Sequence, residues 1–578
     1  MTNNSSRMES FRTIQNPPEI IPPAESEATK KLELEYRNSY PQEKFGEVSI
    51  TLADVKGFVE PFEQALEAGF KTGSKTTGDE FLTAGVATKG LENIYVVKST
   101  EGSALAQKEP KAWINHQPKS LETFTTQLQG LKDKMASAYP EVESLFREAY
   151  GATIDSQVDF CANAQVLGTP EYTVGQRNQE QWQQLIDTSA SEKTGEVVLV
   201  HEQLAIATLE QGMSVDQENT QLFATVEQAF DFWKFTEAER TEITGAEPIT
   251  DKLTPTQGRQ LFDVLRKRLG LKDWEIVINT GSKAIDVNSG ARKINYPETR
   301  SLTPDEMVIL LPHELGTHAV SGENGDKQPC PLLRTGMPDY LATQEGLATV
   351  SEMIVGEPFG HPRQRLFAAR YLAAAMSLKT IETKTGRKPK HTLQEIYNTL
   401  RTYKIGEKDA AQTIWRLARG TSLTRQVIDV PLNDGQSIPV AETFAKDAVY
   451  FEGFVKLRDF FMQTVPLLEK EIDEQGNVSI HGQKPEDFST RLLARVGRAI
   501  AMQNTETKGE STSPSFETMR TVYNAYVSLG RESLMDIMQY FLVGKLRFED
   551  MTTGSPWNNV LKRDGLIQFK KLFDPASN

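Results

Sequence analysis

The sequence predicts a mainly helical α+β protein. Three observations carry that expectation. Apolar residues recur at helical spacing through most of the 578-residue chain. Short runs rich in β-branched residues interrupt them, above all between Trp274 and Tyr296. The apolar and charged fractions, 38% and 25%, are those of an ordinary globular chain long enough for more than one domain.

Three regions follow in order. Residues 1–29 are rich in Asn, Ser, Pro and Glu and read as a disordered tail. Residues 30–248 read as a mostly helical N-terminal region. Leu121, Phe124, Leu128, Leu131 and Met135 mark one helix, and Ala205 to Glu239 supplies one or two more. Ile94 to Val97 and Glu196 to Val200 read as short strands. His201-Glu202 opens like a metal motif, but no second histidine follows, so it reads as a surface pair.

Residues 249–578 form the third region. Thr254-Pro255-Thr256-Gln257 is a helix start, with a cap, a proline in the first turn and Gln three residues after the cap. Trp274 to Thr280 reads as a strand. Ala284 to Tyr296 reads as a second strand or hairpin turning at Asn288-Ser289-Gly290. Thr303-Pro304-Asp305-Glu306 is another capping box, leading into Met307, Ile309, Leu310 and Leu311. Beyond Glu352, helical spacing recurs over 363–378, 392–402, 407–419, 446–464 and 532–546, and Gln426 to Val440 reads as a hairpin.

Chemistry concentrates in Leu310 to His318, L-L-P-H-E-L-G-T-H, which holds two of the seven histidines. His313 and His318 can bind zinc as neutral imidazoles, and Glu314 can take a proton from water at the metal. Their spacing is one residue longer than H-E-x-x-H. On an ideal α-helix, positions i and i+5 diverge by about 140°, so the motif requires a bulge between the histidines, near Gly316. Pro312 removes a hydrogen bond to Val308 and adds a kink or a restart. A third ligand is expected from Glu345, on a helix marked by Leu341, Leu347, Val350 and Ile354. Glu352, seven residues on, can orient a ligand histidine from behind. Cys330 reads as a buried thiol and His361 as a loop histidine. Helix, strands, histidine helix, carboxylate helix is the element order of a zincin-like metallopeptidase core, by analogy.

H-E-L-G-T-H, then Asn324-Gly325 and Gln328, then Q-E-G-L-A (Gln344 to Ala348) resembles the QEGLA-motif family of metallohydrolases. That family includes the tyrosine carboxypeptidases that trim the C-terminal tyrosine of tubulin. Arg419-Gly420 and Phe444 to Gly453 (F-A-K-D-A-V-Y-F-E-G) are similar to a downstream block, so the resemblance runs from about Leu253 to the C-terminus. Pro312 and the polar insertion Thr421 to Glu442 depart from it. The resemblance implies one zinc per chain and release of a C-terminal aromatic residue, Tyr or Phe, from a peptide or protein. Such an enzyme needs a cation for the substrate carboxylate. Arg292 is the first choice for its bidentate fork, with Lys283 and Lys293 near it. Lys446 and Tyr450 can supply charge or hold an oxyanion. A zinc endopeptidase, or a regulatory protein with a structural zinc, are the other readings.

The net charge of −15 argues against nucleic acid and against capture of a strongly acidic tail. Two cysteines, far apart, suit a reducing compartment. With neither a secretory signal nor a membrane span in sight, a cytoplasmic location is expected. Oligomeric state is not legible.

Overall fold

The computed structural model describes residues 27–39, 49–52, 95–98, 118–165, 181–212, 223–245, 250–279, 284–355, 362–417, 425–457 and 535–573, apart from 141, 433–434, 536–537 and 552–554. Most of the expected tail, Lys283, His361 and Arg419-Gly420 lie outside these residues.

Helices dominate, with four small sheets among the described residues. In chain order, α1 (Glu27–Ser39) packs on α2 (Pro118–Ala138), and α2 on α3 (Ser144–Gln165). Between α1 and α2, β1 (Ser49–Leu52) and β2 (Tyr95–Lys98) form an antiparallel pair. Then come α4 (Thr188–Thr194), α5 (Glu202–Gly212), α6 (Val226–Phe232) and α7 (Glu237–Thr244). Thr225 with Gln228, and Thr236 with Glu239, form capping boxes that satisfy orphan N–H groups at the starts of α6 and α7.

The strand expected at Glu196 to Val200 is a single bridge, Ile186 to Leu199. Gly195, at φ 68°, closes α4, and α5 begins at Glu202, so the intervening chain is too short for a ladder. Nor is His201-Glu202 a surface pair. Glu202 is buried against Lys379 at 2.5 Å, and the His201 N–H donates to the Tyr371 hydroxyl at 3.2 Å.

The second block opens with α8 (Pro255–Arg268), capped by Thr254 and Gln257. β3 (Glu275–Asn279), β4 (Asp286–Asn288) and β5 (Lys293–Pro297) make a sheet in the order β3-β5-β4, with β5 parallel to β3 and antiparallel to β4. α9 (Pro304–Leu310), capped by the Thr303–Glu306 box, runs directly into a π-helix, Leu311–Ala319, and then α10 (Val320–Asp326). After a 3-10 turn at Pro331–Arg334 come α11 (Leu341–Val355) and α12 (Pro362–Leu378). A hairpin the sequence did not suggest, β6 (Thr380–Thr383) with β7 (Gly386–Pro389), precedes α13 (Leu393–Thr402) and α14 (Glu407–Leu417). β8 (Val427–Pro431) and β9 (Ser437–Ala441) form the expected hairpin, and a helix, α15, covers 448–457.

One apolar core runs through both blocks, from Trp182 and Phe230 to Leu311, Tyr371 and Phe569. α5 packs on α12, and the Gln183 amide donates to the Pro431 carbonyl at 2.7 Å. The C-terminal segment 535–573 closes over the π-helix and α10. Asn324, fully buried, donates to the carbonyls of Leu542 (2.6 Å) and Ile567 (3.0 Å) and accepts from the Ile567 N–H (2.7 Å). Gln328 exchanges two bonds with the Lys562 backbone, at 3.0 and 2.8 Å. These two motif residues are clamps: they satisfy backbone groups that burial would otherwise leave unpaired.

Candidate active site

The site is built on the π-helix. There the backbone bonds close from i to i+5, as the Val320 N–H to Leu315 carbonyl bond shows. Residues five apart therefore stack as residues four apart do in an α-helix. The bulge that the histidine spacing demands thus extends over Leu311 to Ala319. Pro312 lacks the N–H that would tie this stretch to Val308 in α register, which lowers the cost of leaving that register. The Thr317 hydroxyl donates to the Pro312 carbonyl at 3.0 Å.

Gly316 has a second reason to be glycine. A Cβ there would lie 2.6 Å from both Leu572 and Phe569, on the 3-10 turn Phe569–Leu572 that seats on the π-helix. The π-helix is thereby walled in. His313, Glu314 and Thr317 are all buried, and His318 is only 13% exposed at its side chain.

The histidine rings meet edge to face, centroids 5.0 Å apart. Donor atoms of His313, Glu314 and His318 all fall within 4.8 Å of one another. α11 brings Glu345 to them: its Oε2 is 3.8 Å from Nε2 of His313 and 3.8 Å from Nε2 of His318. That oxygen is buried and has no hydrogen-bond partner. One α-helical face later, Glu352 Oε1 lies 2.7 Å from His313 Nδ1.

α11 reaches this position because α15 crosses it without side chains in the way. A Cβ on Gly346 would lie 2.4 Å from the Gly453 backbone, and one on Gly453 would lie 1.7 Å from the Ala342 carbonyl oxygen. The crossing sets Tyr450 and Lys446 within electrostatic reach of Glu345. Tyr450 stacks on Phe367 at 4.9 Å, and Lys446 is exposed.

The charges respond to burial. His318 is held well below the usual imidazole range by burial, then by His313 and Lys545, so its ring stays neutral. Burial raises the Glu345 carboxyl. The Tyr450 hydroxyl is pushed up by the Glu345 charge and then by burial, and Tyr340 is pushed up to about 12, mainly by burial.

Arg292 lies elsewhere. Its guanidinium pairs with Asp326 (2.5 Å) and Glu323 (3.4 Å), fastening the β4–β5 turn to α10. A substrate carboxylate would have to compete with both acids. Sequence reasoning passed over Tyr340 and Lys545, which lie close to Glu345 electrostatically. No motif marks Lys545. It sits some two hundred residues from Glu345 in the chain, and the Asn324 and Gln328 clamps bring its segment back.

No curated protein matches this chain. Residues 254–472 match the family described as microtubule-associated tyrosine carboxypeptidase. The match takes in the π-helix, Q-E-G-L-A and the Gly346–Gly453 crossing, so this region of the chain is similar to the tyrosine carboxypeptidases of that family.

Proposed function

We propose that this protein is a zinc-dependent metallocarboxypeptidase that removes a C-terminal aromatic residue, Tyr or Phe, from a peptide or protein. One observation carries the metal. Glu345 Oε2, buried and without a hydrogen-bond partner, faces Nε2 of both histidines at 3.8 Å. Donors on zinc bonds of 2.0–2.2 Å stand about 3.4 Å apart at a tetrahedral angle. A small closure of the existing spacing would suffice, and a cation would satisfy the orphaned oxygen. Two neutral imidazoles and one carboxylate are a catalytic donor set, which leaves a fourth position for substrate or water. His313, His318 and Glu345 would hold one zinc per chain.

When bound, zinc supplies Lewis acidity to a scissile carbonyl and to water. The side chains do the rest. Glu314 follows His313 directly and projects beside the ligand set, its Oε1 4.0 Å from His313 Nε2. It accepts the proton from the attacking water at its carboxylate and delivers it to the leaving amine. Glu352 holds Nδ1–H of His313 and keeps Nε2 free as a ligand. Tyr450 and Lys446 stand beside Glu345, placed to steady developing oxyanion charge.

The family match supports a carboxypeptidase, and its description, microtubule-associated tyrosine carboxypeptidase, makes a peptide or protein ending in tyrosine the first substrate to try. The element order around the π-helix suits a zincin-like core, an analogy of fold.

The test uses purified full-length protein, metal analysis by mass spectrometry and peptides ending in Tyr, Phe or Ala. Zinc near one per chain, with Tyr or Phe released first, is expected. Equal cleavage of free and C-terminally amidated peptides would replace this reading with an endopeptidase. A zinc-loaded protein that cuts nothing would favour the regulatory reading.

A further inference from the structure

We infer that Lys545, a residue outside the family-matched region, receives the free carboxylate of the substrate's C-terminus. The inference rests on the carboxypeptidase reading above and names the cation that such an enzyme needs.

Lys545 is buried, with 5% of its surface exposed. Among the described residues, neither a carboxylate nor a hydrogen-bond acceptor pairs with its ammonium group, which lies over the Tyr340 ring, 5.4 Å from its centre. Charge buried in this way is costly unless an anion meets it. The ammonium lies close enough to the site for its charge to act on His318 and for Glu345 to act on it.

Its backbone is fixed. The Lys545 N–H donates to the Leu333 carbonyl at 2.9 Å, and its carbonyl accepts from the Met337 N–H at 3.0 Å. Tyr340 is fixed as well: its ring fills the space beside Gly336, where a Cβ would lie 2.4 Å from it. A cation pinned on both sides of its own residue, over an aromatic ring and beside the ligand set, is preorganised for an anion. Arg292, by contrast, already meets two acids. The terminal carboxylate is the one anion every carboxypeptidase substrate brings, whatever its side chain.

Two measurements test this. The first is calorimetric binding of N-acetyl-glycyl-tyrosine and of its amide to zinc-loaded Glu314→Gln protein, with and without Lys545→Met. The free acid should bind more tightly than the amide, and Lys545→Met should remove that preference. The second is turnover of peptides ending in Tyr. Lys545→Met should lower kcat/KM roughly 10²-fold, mostly through KM, while Lys545→Arg keeps part of the activity. Zinc content should not change. The melting temperature should hold or rise, because an unpaired buried charge has been replaced by an apolar side chain. If Lys545→Met misfolds, Lys545→Gln carries the same comparison. A folded, zinc-loaded variant that keeps the acid-over-amide preference overturns the inference. If the parent protein releases no C-terminal residue at all, the carboxypeptidase reading fails first, and the Lys545 inference with it.

Discussion

Glu352 Oε1 stands 2.7 Å from Nδ1 of His313, on the side of the ring away from Glu345. An ionised Glu352 can only accept, so it would fix the tautomer in which Nδ1 carries the proton and Nε2 presents its lone pair. Glu352→Gln retains an oxygen but removes the charge that makes the ring a better donor. Metal affinity should fall about 10- to 100-fold, measured by competition with a chromogenic chelator. Unchanged affinity would make Glu352 an ordinary buried acid.

Glu314→Gln keeps size and most hydrogen bonds while removing the base. If the zinc-dependent reading holds, the variant should fold, bind zinc as the parent does and lose roughly 10²–10⁴-fold in turnover. Parent-like turnover would show that the motif is not catalytic.

Glycine positions test the frame. Gly316→Ala places a methyl 2.6 Å from Phe569 and Leu572 and should cost about 1–3 kcal/mol by overpacking. Gly346→Ala meets backbone rather than movable side chains, at 2.4 Å, and should cost more. Urea denaturation orders the two. The reverse order would mean that α11 and α15 separate easily.

Lys545 gives a pH signature. Burial lowers its ammonium to about 8, opposed by the Glu345 charge, with Tyr340 and His318 the other titratable neighbours. Below that value the lysine is charged and can hold a carboxylate. Above it the charge is lost, so kcat/KM for free-acid peptides should decline as pH rises past about 8, and Lys545→Arg should flatten that limb. The sign for stability is opposite. Between about 8 and about 10.4 the unfolded chain holds a proton that the folded chain lacks, so stability rises with pH across that window. A limb unaltered by Lys545→Arg would assign it to another group.

Much of the local structure was legible. Thr254 with Gln257 and Thr303 with Glu306 announced their helices because a cap needs only the residues that follow it. The five-residue histidine spacing required an irregular helix, and a nine-residue π-helix spans it. The expectation for Glu196 to Val200 failed because a strand needs a partner of sufficient length, and the flanking helices leave room for one bridge. The β6–β7 hairpin was missed because Thr380 to Pro389 lacks a strong alternating pattern and is largely exposed.

The sequence by itself determined the helix starts, which histidines and carboxylates make up the candidate site, and the need for a bulge between His313 and His318. These follow from short-range rules: hydrogen bonds and side-chain periodicity within a few residues. The tertiary structure decided what surrounds them. It joined Glu345 to the histidines through a crossing that Gly346 and Gly453 permit, spent Arg292 on Glu323 and Asp326, and used Asn324 and Gln328 to fold Lys545 back over the site. Those pairings span up to about two hundred and forty residues. Nothing in a local pattern marks them, because the entropy of closing such loops is repaid only when the whole core packs at once.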